Sequence, residues 1–187
     1  MKEIEILSKE DILKLMSYIE HKELHHQIVF RIILETGVRR TELINIKIKN
    51  ININEKKIYL THTKNHEHRY IFLSDKTRDL LERHINNTQP GIKYVFYNPT
   101  TQERMSQNFI DSFFIRTKKI LNFEKLGSHL LRHTFCTYIA KAKDVHIQIL
   151  QRLMGHKDIR MTLRYTHLAN QDTLSDAASI YNPIAKL

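Results

Sequence analysis

The run from position 27 to 35 carries Ile28, Val29, Phe30, Ile32, Ile33 and Leu34. At 100° per residue these side chains point nearly all the way round a helix, leaving no single wet face. Such a helix is stable only when other elements enclose it on several sides. Gly37 follows, where a helix end takes a left-handed residue, a conformation open to glycine without steric cost. A chain of 187 residues is long enough to provide the enclosure, and its 4 Gly and 3 Pro leave few breaks in regular structure. The expectation is one domain over 1–187 with this helix buried in it.

The surrounding elements follow from their end signals. Ser8 with Asp11 three residues on reads as a capping box for a helix over 9–20, and Thr41 can cap a short helix through 43–46. Ile46, Ile48, Ile51 and Ile53 then sit among polar residues. The stretches 57–62 and 69–73 are β-rich and flank a turn at 63–67, which predicts a small antiparallel hairpin. Helices return after Ser74 and after Ser106, and again over 128–142, 144–154 and 158–168. A last amphipathic piece over 172–180 carries Leu174, Ala177, Ala178 and Ile180. The fold class is therefore mainly α with a small antiparallel sheet, an α+β arrangement.

Charge narrows the function. Thirty Lys and Arg against 20 Asp and Glu give a net +10, the balance of a domain that meets a polyanion, most commonly nucleic acid. There is no long apolar run, signal-peptide pattern or lipidation motif, so no membrane partner is expected. The single cysteine, Cys136, cannot form an internal disulfide, which suits a reducing cytoplasm.

On the helix from Ser128, His129, Arg132, His133 and Cys136 fall on one side, and Leu131, Phe135, Tyr138 and Ile139 on the other. The first side would present an imidazole and a guanidinium above a core-facing one. A second basic turn runs Thr36-Gly37-Val38-Arg39-Arg40-Thr41-Glu42-Leu43. Arg39 there follows directly on the buried helix, with Glu42 spaced to orient its fork. Gly155 ends a further helix and exposes His156, and Tyr165 stands nine residues on (165 − 156).

These blocks, Thr36-Gly37-x-Arg39-x-x-Glu42-Leu43, His129-x-x-Arg132-His133-Thr134-Phe135, Leu153-Met154-Gly155-His156 and Tyr165-Thr166-His167, resemble the ordered signature of the tyrosine recombinase, or phage integrase, family. The resemblance covers 8–168. It implies a nucleophilic Tyr165 that attacks a DNA phosphodiester, leaving a 3′-phosphotyrosine and a free 5′-hydroxyl, with no cofactor, metal or ATP. Arg39 and Arg132 would clamp the non-bridging oxygens. His129 and His156 would add hydrogen bonds, His129 also being a candidate acceptor of the tyrosine proton. A lysine on a hairpin turn would protonate the leaving oxygen, and Lys64 holds that place, ahead of Lys56 and Lys57. Glu42 and His133 would support the site. The implied partners are double-stranded DNA and further copies of the chain, dimeric or tetrameric on DNA and monomeric when free. The resemblance also implies that the family's N-terminal DNA-gripping domain is absent, and that 172–187 forms a C-terminal helix and tail docking on protein.

Other readings of the same residues exist. His129 and His133 have metal-ligand spacing, but position 130 is Leu where a metalloprotease needs Glu. His62, His66 and His68 share one strand face, where an exposed polar stripe is the ordinary meaning. The stretch 147–155 followed by 158–168 also reads as a helix-turn-helix, so the alternative function is a DNA-binding regulator without catalysis. A metal-dependent nuclease is a third class, separable by its loss of activity in chelator.

Overall fold

In the computed structural model the described residues are 4–61, 68–141 and 145–166. They form two compact units, 1–135 and 136–187, the division falling within one helix. In the first unit, α1 (Lys9–Ile19) and α2 (Leu24–Thr36) precede the short α3 (Arg40–Ile44). A 3-10 turn over Ile48–Asn50 leads into β1 (Ile51–Asn52), β2 (Lys57–Leu60) and β3 (Arg69–Phe72), followed by α4 (Asp75–Asn86) and α5 (Gln107–Leu121). Then α6 (Ser128–Lys141) crosses the division, and α7 (Ile147–Met154) and α8 (Arg160–Thr166) lie in the second unit.

The apolar helix behaves as its sequence requires. Ile28, Val29, Phe30, Ile32 and Ile33 of α2 are all at most 1% exposed, and α2 packs against α1, α3 and α4. Gly37 closes it with φ 62° and ψ 20°, its N–H donating to the Ile33 carbonyl. Upstream, Ser8 Oγ accepts from Asp11 N–H at 3.0 Å while Asp11 Oδ2 accepts from Ser8 N–H at 3.2 Å, the expected capping box. Ser74 and Ser106 cap α4 and α5 through Thr77 and Phe109 N–H.

The hairpin forms and gains a third strand. β1, β2 and β3 are antiparallel in that order, with Ile51 opposite Ile58 and Ile58 opposite Ile71. Ile58, Leu60 and Ile71 point inward, and Ile51, one of the four isoleucines set among polar residues, is a strand residue. The turn at 63–67, and the piece over 172–180, lie outside the described residues.

Two local readings change. The cap of α3 is Arg39 rather than Thr41: the Glu42 carboxylate reaches back to the Arg39 N–H at 2.8 Å and starts the helix earlier. On α6, Cys136 is fully buried and Tyr138 is 36% exposed, the reverse of the two-faced reading. Thr134 and Thr137 are buried as well, so the helix is enclosed on more than one side. Thr134 tolerates this because its hydroxyl donates to the Leu130 carbonyl and accepts from Leu7 N–H at 3.0 Å.

The start of α2 makes stability depend on pH. Burial, then the charges of His25, Arg116 and Lys22, lower the His26 pKa to about 4 from an ordinary 6.5. The folded chain keeps this imidazole neutral while the unfolded chain protonates it. Its contribution is therefore complete above pH 6.5 and declines as pH falls from there towards about 4. In urea titrations across that window, His26→Gln is expected to give a flatter pH dependence than the wild type. An unchanged slope would show that His26 does not drive it.

Candidate active site

In the first unit a buried carboxylate organises the basic turn. Glu42, on the first turn of α3, has a fully buried side chain. Its Oε1 accepts from Arg39 Nη1 at 3.1 Å, and both oxygens accept from Arg69, Nη1 and Nη2 each at 2.8 Å. Burial alone would raise the Glu42 pKa. The hydrogen bonds and charge of Arg69, with the N–H and charge of Arg39, outweigh it and hold the carboxyl below its usual range. Glu42 is thus an anion between two guanidiniums, and the side chain of Arg39 stays 20% exposed.

Its neighbour Arg40 has a different environment. Arg40 pairs with Asp111 and donates to Gln107 Oε1 at 2.6 Å, tying α3 to α5. Of the two adjacent arginines, one is consumed in packing and the other is aimed by Glu42. Arg132 on α6 is 7% exposed and donates to the carbonyl of Gly37. The left-handed turn at Gly37 therefore both ends α2 and fixes a second guanidinium. His129 is exposed and His133 half-buried.

The second unit holds the other two candidates. Gly155 ends α7 in the left-handed conformation, φ 57° and ψ 47°, and releases His156 from the helix. His156 is buried, and its Nδ1 shares a 3.0 Å hydrogen bond with the Thr162 hydroxyl of α8. The Tyr165 ring lies nearly parallel to that imidazole, 15° apart with centroids 6.5 Å apart. Tyr165 is 5% exposed, so it is no ordinary surface tyrosine of an amphipathic helix.

Lys64, with His62 and His66, lies outside the described residues. Lys56 pairs with Asp75 at 2.8 Å. Lys57 pairs with Glu55, whose hydrogen bond holds the ammonium above its usual range. Such a lysine gives up its proton less readily.

Two features were missed in the sequence. Arg69 is one: it shares the inward face of β3 with Ile71, and an arginine at an inward strand position demands a buried counter-charge. Glu23, His25 and His26 are the other: among the described residues they alone bring three potential metal-ligating atoms within 4.8 Å of one another. Lys22 and Arg116 press positive charge on His26, which disfavours a cation there.

Comparison with known proteins bears on the family and the fold. Residues 5–172 match the phage integrase family. Tyrosine recombinase XerA of Saccharolobus solfataricus is 30% identical over 175 residues, covering 91% of this chain and 55% of that protein. The chain thus spans about half the length of the curated relatives it matches. The catalytic domain of bacteriophage HP1 integrase superposes with a TM-score of 0.72 at 24% identity, covering 98% of both chains. A structure of XerH site-specific recombinase bound to a palindromic difH substrate, a post-cleavage complex, gives 0.77 at 23% identity. There the match covers 96% of this chain and 54% of that one.

Proposed function

This chain belongs to the phage integrase family and has the fold of a tyrosine recombinase catalytic domain, and from that premise we propose that it cuts and rejoins double-stranded DNA through a 3′-phosphotyrosine at Tyr165. The observation that carries the reading is the buried Glu42 carboxylate, which uses the charge of two arginines to hold Arg39 in one orientation. A surface salt bridge has no need of such an anchor, whereas a guanidinium that must meet a transition-state oxygen does.

Arg39 and Arg132 stabilise the charge that builds on the non-bridging oxygens as the tyrosine oxygen attacks. The bond formed is Tyr165 Oη to phosphorus, and the bond broken is phosphorus to the 5′-oxygen. The energy of the phosphodiester is kept in the adduct, so a 5′-hydroxyl can reverse the step without ATP. His129 is the candidate acceptor of the tyrosine proton, and His156 adds a hydrogen bond from a ring oriented by Thr162. Lys64 is proposed to protonate the leaving oxygen, a role that the carboxylate-paired Lys56 and Lys57 suit less well. Further copies of the chain assemble on the DNA, as exchange between two duplexes requires. A chelator should leave cleavage intact, which separates this chemistry from a metal-dependent nuclease. No helix among the described residues is long and apolar enough to cross a membrane.

Arg39→Ala and Arg132→Ala are each expected to slow single-turnover cleavage by roughly 10²–10³-fold while DNA affinity changes far less. Variants that cleave at the wild-type rate would remove the clamp from the mechanism.

A further inference from the structure

Away from these residues, two segments of the first unit pair outside the three-stranded sheet. Ile48 N–H donates to the Lys93 carbonyl and Val95 N–H to the Ile46 carbonyl, both at 3.0 Å. Lys47 and Tyr94 are thereby an antiparallel pair of the kind not bonded to each other, in which the side chains stand closest. Beside them opens a recess of about 650 Å³ lined by Lys47, Ile48, Lys49, Ile92, Lys93 and Tyr94. That volume lies in the range of small-ligand sites.

The charge in this recess is uncompensated. Lys56, Lys57, Lys76 and Lys125 each meet a carboxylate, while Lys47, Lys49 and Lys93 meet none among the described residues. Lysines lining one recess without a carboxylate partner favour an anion there. The rest of the lining is apolar or aromatic: half-buried Ile48 and Ile92, and the ring of Tyr94. A bare anion would leave that surface wet, and an uncharged apolar ligand would leave the lysines unused. A phosphate ester of a flat heterocycle uses both.

We propose that this recess binds a nucleotide unit, its phosphate on the lysines and its base against Tyr94 and Ile92. The unit has two possible sources: a free nucleotide, or a nucleotide of a DNA strand running past the recess. Only the second rests on the DNA-cleaving function proposed above.

The test is equilibrium titration of the full chain with ATP, with inorganic triphosphate and with a short random-sequence duplex. The variants are Lys47→Ala/Lys49→Ala/Lys93→Ala and Tyr94→Leu, each checked for an unchanged melting temperature. ATP should bind wild type at least about tenfold more tightly than triphosphate, and Tyr94→Leu should erase that preference. The triple variant should lose ATP affinity by at least about tenfold. If DNA is the source, its log–log salt slope for the duplex also becomes shallower by about 0.9 for each phosphate it no longer neutralises. If a free nucleotide is the source, the duplex slope stays as in wild type. Equal binding of ATP and triphosphate by wild type, or wild-type ATP affinity in the triple variant, overturns the proposal. Neither result depends on cleavage, so failure here leaves the Tyr165 chemistry standing.

Discussion

Glu42→Ala is expected to destabilise the fold by about 3–5 kcal/mol, the cost of breaking a buried ion pair by removing one partner. The carboxylate is fully buried and accepts hydrogen bonds from Arg39 N–H, Arg39 Nη1 and both terminal nitrogens of Arg69. Its removal withdraws the anion that both guanidiniums share and the bond that closes the first turn of α3. Glu42→Gln retains shape but not charge, so it should lose a large part of the same stability. Because the Glu42 carboxyl is held below its usual range, its contribution is present above the ordinary carboxylate pKa and is lost as pH falls through the folded value. Urea midpoints measured from neutral pH downward should therefore show an acid limb in wild type that is weaker in Glu42→Gln. That limb begins where the His26 window is ending, so His26→Gln should flatten the upper part of the curve and Glu42→Gln the lower. Arg132→Ala, with Glu42 intact, should cleave slowly yet melt closer to wild type.

The Arg39–Glu42 link was legible because it is local. Three residues on a helical turn put a carboxylate within reach of the N-cap residue, and any chain with that spacing can close the same loop. Ser8 with Asp11, and Gly37 after the apolar run, were legible for the same reason. Arg69 was not, because its partner is 27 residues away and only the fold of the sheet brings the two together. The positions of Cys136 and Tyr138 on α6 were misjudged because a helical wheel assumes one wet face, and α6 is covered on more than one. The ties of Arg40 to Asp111 and Gln107 of α5 were likewise invisible, since only the fold brings them together. The family resemblance that the motif blocks carry holds over residues 5–172, since it rests on residue types at fixed chain positions and not on what packs around them.

The largest effect on function is expected at Tyr165. A phenylalanine there keeps the ring and its near-parallel approach to His156, and removes one oxygen. Tyr165→Phe should therefore fold and bind DNA as wild type does, and form no covalent complex at all. The direct measurement uses a duplex nicked beside the cleavage site, so that the short 5′-hydroxyl strand diffuses away and the adduct accumulates. After denaturation and protease digestion, mass spectrometry locates the DNA-bearing peptide. A nucleotide attached to Tyr165 in wild type, with no adduct in Tyr165→Phe, is the predicted result. An adduct on another residue, or one that persists in Tyr165→Phe, would contradict it.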